Sequence, residues 1–241
     1  MKIKILVFDF DGTIADTFLS MVEISNHLAM EFNFKRIEPH QINFFKDKTS
    51  LEMLKLLQVP TLKVPRIATR AKNELNKKIT HIKPVNGLQD ILKKIHSLGY
   101  QMGILSSNSL ENVNKFLKTN QLDLFDFVLT SSRFWGKNFG LKKMIEKQGF
   151  NAKEVLYIGD ETRDIDAARK SGIHIAAVTW GYNSLKVLKK YQPDYLIHSP
   201  EELLQLCLKH NPLEKSVNIR KKIALKTSIP LSKLKNFFLK M

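Results

Sequence analysis

From Pro84 to Val178 the chain alternates short apolar runs with amphipathic stretches, and this alternation constrains the fold more than any other feature. Leu88, Ile91, Leu92, Ile95 and Leu98 have helical spacing and stop at Gly99, after which Met102 to Leu105 has the length and composition of a buried strand. A helix through Val113, Phe116 and Leu117 leads to a second strand, Phe127 to Leu129. A basic turn from Arg133 to Lys137 then precedes a helix through Leu141, Met144 and Ile145. Val155 to Ile158 is the next strand; a helix through Ile165, Ala167 and Ala168 closes at Gly172, and Ile173 to Val178 completes the series. The run Lys2 to Phe8, with Ile3, Ile5, Leu6 and Val7, is one more strand, too short for a helix. Such alternation predicts an α/β fold with a doubly wound, Rossmann-like parallel sheet.

Between Ala15 and Pro84 no strand pattern occurs. Asp16 is placed to cap a helix carrying Phe18, Met21, Val22, Ile24, Leu28 and Phe32. Pro39 opens a short helix, Ser50 precedes Leu51, Met53, Leu54 and Leu57, and Pro65 starts a run through Ala68, Ala71 and Leu75. The expected organisation is a core of residues 1–15 and 84–208, an inserted all-α cap over 16–83, and a basic tail over 209–241.

In doubly wound sheets, ligands bind beyond the carboxyl ends of the strands. Here the successive ends are polar: Asp9 and Asp11, then Ser106 and Asn108, then Lys137, then Asp160 with Asp164 one helical turn later. Side chains alternate along a strand, so Asp9 and Asp11 share a side while Phe10 turns into the core. Gly12 permits a sharp turn after them. Carboxylates this close repel unless a cation lies between them or one holds a proton. Singly, each residue has an ordinary reading: Ser106 and Asn108 as helix caps, Lys137 as a solvated turn residue, Asp160 as a helix-starting acid. Together on one rim they suit a divalent cation and a phosphate.

These residues resemble the haloacid dehalogenase superfamily of phosphohydrolases. Asp9-Phe10-Asp11-Gly12-Thr13 is similar to its first motif and Leu105-Ser106-Ser107-Asn108 to its second. Lys137 matches the motif lysine, and Gly159-Asp160-Glu161-Thr162-Arg163-Asp164 the acidic fourth motif. The resemblance covers about residues 1–208. It implies that Asp9 attacks phosphorus, forming an aspartyl-phosphate, and that Asp11 protonates the leaving oxygen and then activates water. It further implies Mg²⁺ held by Asp9, the backbone carbonyl of Asp11, Asp160 and Asp164. Ser106 and Lys137 would grip the phosphoryl group, with Asn108 also on the phosphate side. Thr13 would orient the first loop and is grouped with the phosphate-binding residues. Glu161 is read as a supporting or surface acid. Trp180-Gly181-Tyr182 is expected to pack at the site's rim, and Phe134 and Trp135 to line its entrance or form a small apolar cluster.

Dehalogenase members of the family lack a second acid like Asp11, so its presence favours phosphate chemistry. The helical insert resembles a cap that closes over the site and excludes water. Its 12 Lys/Arg against 7 Asp/Glu over residues 16–84 suit a small anionic substrate as well as a solvated helix surface. The expected enzyme is a phosphoglycolate-phosphatase-like hydrolase of a small phosphomonoester. A phosphomutase of the β-phosphoglucomutase type would use the same carboxylates. A receiver-like signalling domain also phosphorylates an aspartate, but the insert and Asp11 argue against it.

Half of the net charge of +16 lies in residues 209–241, which hold nine Lys/Arg and one acid. Leu231, Leu234, Phe237 and Phe238 with Lys233, Lys235 and Lys240 have the spacing of a basic amphipathic helix. Such a helix packs back on the body, or docks on a partner protein or an anionic membrane surface, making a binding protein recruited by its tail a third reading. Little aromatic interleaving disfavours nucleic acid. Cys207 is the only cysteine, so no internal disulfide forms, and no apolar run approaches a membrane span. A cytoplasmic enzyme is expected. His27, His40 and His81 show no metal-ligand spacing.

Overall fold

The computed structural model describes residues 2–131 and 136–211. Six strands form one parallel sheet: β1 (Ile5–Phe8), β2 (Gln101–Ser106), β3 (Phe127–Thr130), β4 (Val155–Gly159), β5 (His174–Val178) and β6 (Tyr195–Ile197). Their order is β3-β2-β1-β4-β5-β6. The chain leaves β1 toward β2 on one side and later returns to β4 on the other, so the crevice between β1 and β4 is the switch point at which such sheets bind ligands. Phe8 pairs with Ile104 of β2 and with Ile158 of β4. This register brings Asp9, Ser106 and Asp160 to one rim.

Alternation along β1 assigns its side chains to two layers. Leu6 and Phe8 join an apolar cluster with helices α5 (Leu88–Ser97), α6 (Leu110–Thr119) and α10 (Pro200–His210). Ile5 and Val7 join the opposite layer, under α7 (Gly136–Gln148), α8 (Thr162–Ser171) and α9 (Leu185–Lys190). Phe10 is fully buried and meets the edge of Phe116 at 5.0 Å between ring centroids, as its alternation with Asp9 and Asp11 requires.

The insert is helical: α1 (Phe18–Phe32), α2 (Ile42–Lys46), α3 (Ser50–Leu56) and α4 (Val64–Lys78), with short 3-10 turns at Pro39–Gln41 and Thr61–Lys63. Its two connections to the core are paired, with Val85 N–H donating to Ile14 O at 2.9 Å and Asp16 N–H to Lys83 O at 3.0 Å. Asp16 therefore does not cap α1. The capping position is Thr17, whose hydroxyl meets the Tyr182 hydroxyl at 3.0 Å instead of the helix. A second set of bonds joins the turn between α2 and α3 to the loop after β5. Asn183 Nδ2 donates to Lys48 O at 2.9 Å and Lys46 O at 3.3 Å, and Ser184 N–H donates to Lys46 O at 2.9 Å.

Two further corrections concern helix starts and ends. Gly136 and Lys137 are helical, so Lys137 sits in the first turn of α7 and not in a turn ahead of it. At the other end, α10 runs through Lys209 and His210. Arg133, Phe134, Trp135 and the amphipathic segment Leu231 to Phe238 lie outside the described residues. No helix among the described residues is long and apolar enough to cross a membrane.

Candidate active site

The site is built at the carboxyl ends of β1, β2 and β4. Gly12 takes φ of +79°, and a Cβ there would come within 2.4 Å of both Asp160 Oδ2 and the Tyr182 ring. Only glycine lets the turn after β1 lie against the end of β4. That turn carries Thr13 beneath the site, where its hydroxyl donates to Asp160 Oδ1 at 2.6 Å. Thr13 is buried, with its hydroxyl engaged by Asp160. The second Asp160 oxygen accepts from the Tyr182 N–H at 2.8 Å.

Asp9, Asp160 and Asp164 are buried and present one oxygen each within 4.8 Å of one another. Burial pushes the Asp9 carboxyl up to about 7, with the Lys137 cation opposing and the Asp164 charge assisting. Burial, followed by the charges of Glu161, Asp164 and Asp9, pushes Asp160 well above its ordinary value. Three oxygen ligands in a shielded place, two of them costly to ionise unaided, form the donor set that a hard divalent cation takes. The residues present fit Mg²⁺.

Lys137 extends from the first turn of α7 and donates to Asp9 Oδ2 at 2.6 Å and to Asp164. Burial works against its charge, but Asp164 and Asp9 outweigh that penalty and hold it protonated, well above the ordinary lysine range. Asp164, in the first turn of α8, also accepts from the Glu161 N–H at 3.0 Å. It thereby ties the start of that helix to the site.

Asp11 stands apart from the three acids. Asn108 Nδ2 lies 3.3 Å from Asp11 Oδ2, and Asn108 is itself held by Asn112 Nδ2 on its Oδ1 at 3.0 Å. Ser106 is buried, and its hydroxyl accepts from the Asn108 N–H at 2.9 Å. Neither caps α6; the cap is Ser109, which accepts from Asn112 N–H. Asp160 likewise does not start α8, whose capping position is Glu161.

A profile of the haloacid dehalogenase-like hydrolase family matches residues 6–178, which contain the β1 turn, the insert and the acidic end of β4. The chain belongs to that family. A phosphoglycolate phosphatase of Synechococcus elongatus is 32% identical over 201 residues, covering 83% of this chain and 95% of that one. A pyrophosphatase, PpaX, of Halalkalibacterium halodurans is 23% identical over 218 residues, covering 86% and 97%. Among solved structures, a haloacid dehalogenase-like family hydrolase of Streptococcus pneumoniae superposes with a TM-score of 0.73 at 23% identity, covering 85% of this chain and 98% of that one. This last likeness concerns the fold.

Around the acidic cluster stand two residues, Arg163 and Asn183, that sequence spacing gives no role. Arg163 Nε donates to Glu161 Oε2 at 2.6 Å. Glu161, largely buried, also accepts from Ser50 Oγ of the insert at 3.3 Å. Asn183 accepts from Thr162 N–H at 2.9 Å while bonding the insert. Nothing in local spacing marks Asn183, because its partners come from α8 and the α2–α3 turn. The aromatic loop does pack at the rim: Trp180 Nε1 donates to Thr13 O at 3.1 Å.

Proposed function

We propose that the protein is a Mg²⁺-dependent phosphatase that hydrolyses a small phosphomonoester through an aspartyl-phosphate on Asp9. The observation that carries this reading is the setting of Asp9. It lies beside Asp160 and Asp164, is gripped by Lys137, and is followed two positions later by a carboxylate outside that group. A nucleophile and a general acid two positions apart, with separate surroundings, are what two-step hydrolysis requires.

In this reading Asp9 Oδ attacks phosphorus as the bond to the leaving oxygen breaks, and Asp11 gives that oxygen a proton. Water then attacks the same phosphorus, Asp11 takes its proton, and Asp9 is released with inorganic phosphate. Lys137 and the Ser106 and Asn108 side hold the phosphoryl oxygens while their charge redistributes. Asp9, Asp160 and Asp164 would hold Mg²⁺, which when bound supplies the positive charge that lets a carboxylate approach a phosphate dianion. The similarity to phosphoglycolate phosphatases supports a soluble phosphorylated metabolite as substrate.

The test is hydrolysis of p-nitrophenyl phosphate, with and without Mg²⁺, by the wild type and by Asp9→Asn. Metal-dependent release of phosphate that is lost in the variant is the expected result. Turnover unchanged in Asp9→Asn would overturn the mechanism. Release of free phosphate from a sugar phosphate without a bisphosphate primer separates hydrolysis from mutase chemistry.

A further inference from the structure

The insert is not packed through its centre. A cavity of about 370 Å³ opens between α1, α3 and α4, walled by Met21, Val22, Met53, Leu54, Ile67 and Ala71 and floored by Asp11, Ser107 and Asn108. Five of those six wall residues, all but Ala71, are only partly buried, although they lie on the inner faces of their helices. One apolar cluster, which includes Ile24, Leu28 and Leu75, lies on the core side. A small one of Ile37, Phe45, Leu57 and Val59 forms the far end. Unfilled apolar surface of this kind loses the contacts that close packing supplies, and a mostly apolar cavity of ~300–1,000 Å³ with a few convergent polar groups is the usual form of a ligand site.

Asp11 fixes what enters. In the proposed reaction its carboxyl hands a proton to the leaving-group oxygen, so that oxygen lies against Asp11. The carbon skeleton attached to it must continue away from Asp9, and the space that Asp11 borders is this cavity. We infer that the substrate is the phosphomonoester of an apolar alcohol, whose alkyl or aryl skeleton fills the cavity of the insert. This rests on the phosphatase reading above and names the leaving group for it.

Three cations also line the cavity, each with a partner: Lys48 lies over the Phe44 ring at 4.4 Å, Lys72 Nζ donates to Ser107 O at 3.4 Å, and Arg163 is held by Glu161. A carboxylated two-carbon leaving group would leave most of the apolar wall bare. An alkyl or aryl skeleton covers it. The chemistry balances as simple hydrolysis. The phosphorus–oxygen bond to the alcohol breaks, the alcohol oxygen takes the Asp11 proton, and water restores that proton as phosphate leaves Asp9.

The experiment is kcat/KM for a series of n-alkyl phosphates from methyl to octyl, with phosphoglycolate alongside, followed by phosphate release. Each methylene that enters the cavity is expected to raise kcat/KM about fourfold, the equivalent of ~0.8 kcal/mol, until the cavity is full. Hexyl phosphate should exceed methyl phosphate by ~10²-fold or more and should also exceed phosphoglycolate. Filling the cavity with Ala68→Phe should lower hexyl phosphate turnover at least tenfold while leaving methyl phosphate nearly unchanged. Turnover that depends on Asp9 but stays flat or falls with chain length would overturn this inference and leave the phosphatase reading intact. No turnover of any ester, or turnover untouched by Asp9→Asn, would overturn the phosphatase reading and this inference with it.

Discussion

Thr13 Oγ1 donates a 2.6 Å hydrogen bond to Asp160 Oδ1, joining residues 147 positions apart at the ends of β1 and β4. The bond aims one oxygen of the acid, while the Tyr182 N–H fixes the other. Outer partners of this kind commonly set metal affinity within ~10–100-fold. Thr13→Val keeps the side-chain shape and removes the donor. We expect a loss of ~1–3 kcal/mol in stability, from a buried acceptor left unpaired, and a 10–100-fold weaker Mg²⁺ affinity in calorimetric titration. Thr13→Ser should restore most of both.

Lys137 is paired with two buried carboxylates, those of Asp9 and Asp164. Removing one partner of such a group leaves uncompensated charge, at a cost of ~3–5 kcal/mol. Lys137→Met should therefore melt early without metal and lose ~10²–10³-fold in turnover. Its stabilisation by Mg²⁺ should be larger than that of the wild type, because the cation no longer competes with the ammonium for Asp9 and Asp164. Equal metal-induced shifts in melting temperature in the two proteins would contradict this role.

The raised Asp9 carboxyl gives the metal-free protein a definite pH dependence. Unfolded, an aspartate titrates near 3.9; folded, Asp9 titrates at about 7. Between these values the folded state binds more protons than the unfolded state, so this group's contribution to stability falls as pH rises through that window. Asp160 is shifted in the same direction. Mg²⁺ should reverse the loss. At a hundredfold excess over Kd near pH 7.5 the gain is ~2.7 kcal/mol, or roughly 5–10 °C in Tm for a chain of this size. Near pH 4.5, with the Asp9 carboxyl protonated, the gain should largely vanish. Thermal unfolding at the two pH values, with and without Mg²⁺, checks the sign.

Asn183 joins the loop after β5 to the α2–α3 turn through two bonds, and on the core side its amide oxygen accepts from Thr162 N–H. Asn183→Ala should cost ~1–3 kcal/mol and speed hydrogen exchange in residues 46–50 more than elsewhere in the insert. Asp47→Ala removes a partly buried bond from Ser184 and an exposed one from Lys186, with no bond to the core side, and should change exchange there less than Asn183→Ala does. A uniform increase across α1 and α4 in Asn183→Ala would indicate general loosening of the insert instead of a local tie.

Much of the site was legible because its members sit at the ends of strands that local periodicity identifies. Asp9, Ser106 and Asp160 each follow an apolar run, and a parallel sheet must bring such ends to one rim. Asp16 and Lys137 show the limit of that reading. Asp16 looks like a cap from its type and place, yet its backbone pairs with Lys83, so the helix starts one residue later. Lys137 looks like part of a basic turn, yet it occupies the first turn of α7, the position from which its side chain spans to both β1 and α8. Turn and cap chemistry are decided by partners distant in the chain, and spacing alone does not name them.

By itself the sequence determined the alternation of strand and helix, the helical insert and the acidic first and fourth motifs, since each depends on residues within a turn or a strand of one another. Tertiary structure alone decided that Thr13 serves Asp160, that Asn183 ties the insert to the core, and that the insert encloses an apolar cavity above Asp11. The physical reason is that these depend on how far three packed helices stand from a sheet edge, a distance set by side chains scattered over the whole chain and by no local pattern.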